Sequence, residues 1–338
     1  MKRQLSPLRL AAAGAAVLAI VALVLFLVPT DDTYIVLPDR ARPVEPLVEV
    51  QGGRTPRGEG GVYFVDVIVR KATVLERLFP RLHTGATLVR AQVLNPSGVS
   101  ERERRRSSLR DMTRSQRIAA AVAFRELGLR VHTRSTGALV EEVVPGRPAA
   151  KKLRLDDVIV AVDGRRVRSP DDLRAALRRY RPGDQVMLRV RRGSRTLPIR
   201  LRTAEDPREP GRPIIGVLVD QSADIELPRR IEINSGNIGG PSAGLAFALD
   251  VFEELGRDVD HGRKVAVTGA LDLDGDVLPV GGLKQKTIGA RRAGVDLFIV
   301  PAGDNAQEAR ANADGLRIVP VRTFQQALRV LATSGKTS

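Results

Sequence analysis

The chain is 338 residues long, which at roughly 100 to 200 residues per domain leaves room for about two domains and excludes a lone small binding module. A hydrophobic share of 43% with 28% charged residues excludes a wholly disordered, collagen-like or multi-span membrane chain, and zero cysteines exclude disulfide scaffolds, thiolate metal sites and cysteine nucleophiles. The 55 basic against 39 acidic residues give a net charge of +16, but there is no Trp, aromatics are 3%, and the arginines scatter along the chain; no nucleic-acid partner is expected. Only eight of the basic residues are lysines, so each retained lysine carries information.

Residues 10–28 are an uninterrupted run of 19 uncharged apolar residues, just long enough at about 1.5 Å per residue to cross a bilayer core of about 30 Å. Lys2, Arg3 and Arg9 precede it and Asp31 and Asp32 follow. The charge bias predicts a single-pass anchor with a cytoplasmic N-terminus and an extracytoplasmic body, with a cleaved signal peptide as the other reading. The expected organisation is 1–30 tail and anchor, 31–128 an N-terminal extracytoplasmic region, 129–203 a β-rich module, and 204–338 a mixed α/β domain.

Within 31–128, residues 52–61 read as a Gly/Arg/Thr loop and Val62 to Val69 as a buried strand. The charge run Glu101 to Arg106 is expected to be a solvated linker or helix face. A helix begins near Arg110, presents one apolar face from Gln116 to Leu127, and stops at Gly128.

From 129 onward the elements shorten. Leu139 to Val144 is a strand ending at Pro145-Gly146, Leu155 to Val162 a second strand, and Asp163-Gly164 a tight turn. Ser169, Pro170, Asp171 and Asp172 make a strong helix start, with Ser169 as cap and the carboxylates at the positive end of the dipole. Two further strands follow, Val186 to Val190 and Leu197 to Leu201. This order, with Ala149, Leu155-Asp156-Asp157-Val158-Ile159, Val162-Asp163-Gly164 and Asp172-Leu173, resembles a PDZ domain over about 75 residues. The resemblance implies capture of an extended peptide at a sheet edge beside a helix, with Gly128 to Val131 as the candidate carboxylate loop, although that loop departs from the usual apolar pattern. A spacer role is the other reading.

Two Gly-rich segments mark the C-terminal part. Asn234 to Gly244 leads into an amphipathic helix over 245–255, so Ser242 lies at a helix N-terminus, where it is either a cap or a nucleophile beside free N–H groups. Val277 to Lys286 leads into a second helix through Ala293 and holds two of the eight lysines. A buried lysine can lose its proton and serve as a base, which arginine cannot do. His83, His132 and His261 are isolated, no zinc-ligand spacing occurs, and no Gly-x-x-x-x-Gly-Lys-Ser/Thr phosphate loop is present.

Taken together, Gly239 to Gly244, Val267-Thr268-Gly269, Gly275 to Lys286 and Ile299-Val300-Pro301 resemble the proteolytic domain of the Lon family over about 120 residues. That resemblance implies a catalytic dyad of Ser242 and Lys286, with Lys284 a neighbour, Thr268 an orienting hydroxyl, and the backbone at Gly240 or Ala243 holding the oxyanion. The expected class is α+β: a transmembrane helix, a PDZ-like β-rich module and a Lon-type mixed α/β domain. The expected function is a membrane-anchored, ATP-independent serine endopeptidase that cleaves exported or unfolded proteins. It needs no cofactor or metal, contacts the membrane through residues 10–28, takes protein or peptide substrates, and forms a homo-oligomer. Two other classes fit the sequence, a non-catalytic envelope scaffold or sensor and a tethered peptide-binding chaperone.

Overall fold

The computed structural model describes residues 7–53, 60–94, 100–236 and 238–334. Lys2 and Arg3 of the expected tail, residues 54–59 of the expected loop, and Asn237 of the first Gly-rich segment lie outside the described residues. Helix α1 (Pro7–Leu27) opens the chain and is followed by strands β1 (Pro29–Pro38), β2 (Arg42–Pro43), β3 (Gly61–Phe64), β4 (Val67–Thr73) and β5 (Thr87–Arg90). Strand β1 lies between β4 and β5 in a small antiparallel sheet.

A bilayer core asks for roughly 20 consecutive apolar residues. Among the described residues no helix is long and apolar enough to cross a membrane. The expected anchor over residues 10–28 is therefore corrected, and with it the single-pass localisation and the α+β class with a transmembrane helix. The fold is mixed α/β.

Helix α2 (Glu101–Glu126) starts nine residues before the expected point because Ser100 and Glu103 form a capping box. The charged run is thus the first turns of a 26-residue helix whose apolar second half, including Phe124, is buried in the main core. Gly128 closes that helix: its N–H donates to the Arg125 carbonyl, and Leu129 N–H donates to Phe124.

Next comes an antiparallel sheet made from β6 (His132–Val143), β7 (Val158–Val162), β8 (Gln185–Arg192), β9 (Arg195–Arg202) and β10 (Val217–Glu226), in the order β9-β8-β7-β6-β10. Helix α3 (Pro170–Leu177) packs on it, and Ser169 Oγ accepts the Asp172 N–H at 3.1 Å as the helix-start signal requires. A separate hydrophobic core, with Ile159, Leu188 and Leu201 fully buried, holds this unit together. Its edge strand β10 comes from beyond residue 203, so the sheet crosses the expected boundary.

The third unit is built around a five-stranded sheet in the order β2-β3-β11-β12-β13, where β11 is Lys264–Val267, β12 Leu297–Pro301 and β13 Arg317–Val321. The three pairings β3-β11, β11-β12 and β12-β13 are parallel. Residues from the N-terminal region therefore complete the C-terminal sheet, with Phe64 abreast of Val267. Helices α4 (Gly244–Glu254), α5 (Leu283–Arg292), α6 (Asp304–Ala311) and α7 (Phe324–Ser334) complete this unit. Central strands buried on both faces read as continuous apolar runs, as Leu297–Pro301 does.

Candidate active site

The site forms where the parallel sheet ends. Strand β11 finishes at Val267, and the next residue, Thr268, is fully buried and anchored by donating its N–H to Ile299. Helix α5 runs past this point with Lys286 facing it. Lys286 is 2% exposed, and its Nζ donates to Thr268 Oγ1 at 3.1 Å. Thr268 Oγ1 in turn donates to the carbonyl oxygen of Ser242 at 3.2 Å. Gly269 donates its N–H to the same carbonyl at 2.9 Å and accepts from Leu245 N–H, tying the serine loop to the end of β11 on both sides. Ser242, Thr268 and Lys286, 44 residues apart in sequence at the extremes, are thus joined by two consecutive hydrogen bonds.

Ser242 is half-buried and does not cap the helix that follows: the cap position of α4 is Ala243, and no side-chain cap bond forms there. Among the described residues the Ser242 hydroxyl has no hydrogen-bond partner. Ser242 thus stands two residues before helix α4, whose first N–H groups, of Gly244 and Leu245, donate to the Pro241 and Gly269 carbonyls, and its own hydroxyl is left available for chemistry.

Burial is the main force on Lys286. It pushes the ammonium pKa down from 10.5 to about 8, and the Asp66 carboxylate opposes that shift. Asp66 follows β3, and burial raises its own carboxyl above the ordinary value, against Arg42, which reaches Asp66 Oδ2 at 3.1 Å and Asp39 Oδ2 at 2.7 Å. Helix α5 is held close to this cluster because position 289 is glycine: a Cβ there would lie 1.9 Å from the Asp39 carbonyl oxygen. Lys284 is half-buried and points elsewhere, its Nζ 3.5 Å from the Ala86 carbonyl.

The structure separates the backbone candidates for oxyanion stabilisation. Gly240 N–H is already donated to the Ser108 carbonyl at 2.8 Å, so it is engaged in holding the loop to α2. Ala243 is 5% exposed, and among the described residues its N–H has no partner. Three residues that sequence reasoning passed over support the site: Ser108 through that carbonyl, Ser115, whose Oγ donates to Pro241 at 3.0 Å, and Asp66. Ser108 carried no signal because it falls between the charged run and the expected helix start, and Ser115 none because its partner, Pro241, lies 126 residues away. Asp66 carried none because its strand pairs with β11 across some 200 residues.

Among the described residues, carboxylate oxygens of Glu253, Asp258 and Asp260 lie within 4.8 Å of one another. Each accepts a local backbone N–H, from Asp260, His261 and Gly262 respectively, so the cluster closes a loop.

A second concavity, about 400 Å³, lies between α3 and the start of β10. Leu173 and Leu177 form one wall, Ile215, Val217 and Val219 the other. Strand β10 is the sheet's outer strand, and its far edge has no strand partner among the described residues. The loop leading into it, Ile214-Ile215-Gly216-Val217, has Gly216 in the left-handed region at φ 81°, where a Cβ would collide with Arg147 Cβ at 2.1 Å. Of the expected loop Gly128 to Val131, Gly128 caps α2, and Leu129 and Val131 pack on the main core.

Comparison with known proteins agrees with this division. Residues 126–203 match the PDZ domain family, and residues 229–333 match the Lon protease (S16) C-terminal proteolytic domain. Lon protease 2 of Bacillus subtilis is 37% identical over 109 residues, covering 32% of this chain and 18% of that protein. The Lon protease of Chloroflexus aggregans is 39% identical over 119 residues, covering 33% of this chain and 14% of its own length. The chain therefore spans less than a fifth of these relatives. The PDZ domain of an SdrC-like protein from Listeria monocytogenes aligns over 25% of this chain and 87% of that domain, at 25% identity and a TM-score of 0.23.

Proposed function

We propose that this chain, which joins a PDZ domain to a serine endopeptidase domain of the Lon type, cleaves unfolded proteins or peptide tails with Ser242 as nucleophile and Lys286 as general base. The observation that carries the reading is the buried Lys286–Thr268–Ser242 hydrogen-bond chain around a lysine whose pKa burial lowers to about 8. A substantial fraction of such a lysine is neutral near pH 8, and its lone pair can accept the Ser242 hydroxyl proton as Oγ attacks the scissile carbonyl. Thr268 fixes the amine by accepting one of its N–H bonds. The Ala243 N–H, next to the nucleophile and free, is the donor for the developing oxyanion. The leaving amine takes the proton back from Lys286, and water then hydrolyses the acyl-enzyme by the same base.

The sequence holds no phosphate loop, so the chain as given is expected to cut without ATP and to depend on substrates that are already unfolded. The groove between α3 and β10 would hold a peptide segment as an added strand. The test is incubation of the full chain with an unfolded model protein in the absence of ATP, alongside Ser242→Ala and Lys286→Ala. Fragments from the parent and none from either variant are expected. Cleavage that survives Ser242→Ala would overturn the mechanism, and no cleavage by a folded parent would overturn the assignment of activity.

A further inference from the structure

Helix α2 touches both the PDZ sheet and the loop that carries Ser242. Towards the sheet, Arg110 pairs with Asp156, and Arg114 pairs with Asp220 at 2.7 Å and with Glu141 at 3.4 Å. Arg114 also donates to the Gln221 carbonyl, and Arg117 to the Ile225 carbonyl. Positions 110, 114 and 117 recur at the spacing of one helix face. Towards the serine loop, the Ser108 carbonyl accepts the Gly240 N–H at 2.8 Å, and Ser115 Oγ donates to the Pro241 carbonyl at 3.0 Å. Ser108 and Ser115 also share a face, and at about 3.6 residues per turn it lies opposite the arginines.

The contact with the serine loop leaves no slack. Gly239 and Gly244 bracket Ser242; a Cβ at Gly239 would lie 2.3 Å from Ser108 Oγ, and one at Gly244 would lie 2.7 Å from Ser115 Oγ. Ser115 is buried. Two hydrogen bonds and two approaches that only glycine permits therefore tie the backbone on both sides of Ser242 to α2, and a shift of the helix carries the loop with it. The contact with the sheet is of another kind. A cavity of about 260 Å³ opens there, with Arg110, Arg114, Ile118, Gln221, Ala223 and Leu273 in its walls. Between α2 and the middle of β10 the joint rests on arginine contacts around open space.

Arg114 holds the central place. It reaches two strands, Glu141 on β6 and Asp220 and Gln221 on β10, and the next residue in the chain is Ser115. We infer that Arg114 is a positioning residue for the nucleophile: by fixing α2 on the PDZ sheet, it holds Ser108 and Ser115 where they seat the Ser242 loop. The PDZ sheet is then part of the framework of the active site. This inference rests on the proposed Ser242–Lys286 dyad and adds a residue that touches neither substrate nor the reacting atoms. Because a misplacement of about 1 Å at a reacting atom costs up to about 100-fold in rate, loss of this clamp is expected to cost roughly tenfold.

The experiment labels the full chain with a small serine-directed acylating probe, maps the modified residue by mass, and follows hydrogen exchange of segment 238–244 in parallel. Arg114→Met removes the charged head and keeps most of the aliphatic stem. Ser242 labelling should slow about tenfold with its half-maximal pH unchanged, since Lys286 is untouched, and exchange in 238–244 should quicken. On a short peptide substrate kcat should fall while KM holds. Ser115→Ala should act likewise, and the double variant should be no slower than the slower single one, because both work through one seat. Arg134→Met is the control: it removes another ion pair of the same sheet, Arg134 with Asp224 at 2.8 Å, and should label at the parent rate. Unchanged labelling in Arg114→Met, or an equal loss in Arg134→Met, would overturn the positioning role and leave the dyad standing. Additive losses in the double variant would overturn the route through Ser115. A folded parent that takes no label at Ser242 would overturn the dyad, and this inference with it.

Discussion

Replacing Lys286 by methionine separates the cost of burying this lysine from its proposed use as a base. The side chain is 2% exposed, and burial lowers its pKa from 10.5 to about 8. Between these two values the unfolded chain binds the proton and the folded chain does not, so stability rises with pH from about 8 to 10.5, and below 8 the full penalty is present. At about 1.4 kcal/mol per unit the penalty is about 3 kcal/mol at pH 7. Methionine fills a similar volume without charge, and it forfeits the Nζ bond to Thr268, worth about 1 kcal/mol. Lys286→Met should therefore be inactive and about 2 kcal/mol more stable than the parent at pH 7, and the gain should vanish near pH 10. Denaturant unfolding of the C-terminal unit at pH 7, 8.5 and 10 measures it. A variant less stable than the parent at pH 7, or a difference that does not change with pH, would refute the claim that the lysine is held against its charge.

Other perturbations probe the same frame. Thr268→Val removes the hydroxyl that accepts from Lys286 and donates to Ser242; kcat should fall on the order of 10- to 100-fold, with Thr268→Ser restoring most of it. Gly289→Ala puts a Cβ 1.9 Å from the Asp39 carbonyl, so helix α5 must shift; a loss of about 2 to 3 kcal/mol in denaturant unfolding, together with reduced turnover, is expected. Buried Asp250 has neither oxygen partnered among the described residues, and its pKa is raised to about 8 by burial, with Glu253 and Glu254 adding to the effect. Because that acid resists ionising in the fold, stability drains as pH rises from about 4 to 8, and Asp250→Asn should be the more stable protein at pH 9. Glu76, whose pKa Arg70 lowers to about 2 with help from the Thr73 N–H and His83, contributes stability that is present above about pH 4.5 and lost as pH falls towards 2; Glu76→Gln should flatten acid unfolding in that window.

Local signals survived translation into structure where a single segment determined the outcome. Ser169 and Pro170 start a helix because capping needs only neighbours in sequence, and the Ser242 and Lys286 segments were visible because glycine and lysine are chemically costly to misplace. Signals failed where the decisive contact was distant. Val62 to Val69 read as one strand, but nothing local reveals that residues 61–64 pair in parallel with 264–267 and bring Asp66 close enough to act on Lys286. The groove loop was sought at Gly128, a plausible glycine, whereas the edge strand of that sheet is Val217–Glu226, supplied from beyond the recognised repeat of strands. Gly240 looked like an oxyanion donor until its N–H was found committed to Ser108. The apolar run at 10–28 showed how composition overreaches, since among the described residues no helix meets the length and apolarity that a membrane demands.

The most direct test of the Ser242–Lys286 assignment is covalent labelling of the full chain with a serine-directed acylating probe across pH 6 to 10, with the modified residue identified by peptide mass mapping. The label should fall on Ser242, at a rate that rises about fivefold from pH 7 to 8 and levels above pH 9, as the neutral fraction of a base with pKa about 8 dictates, and it should disappear in Lys286→Met. A label on another residue, or a Ser242 rate that ignores pH and survives Lys286→Met, would contradict it.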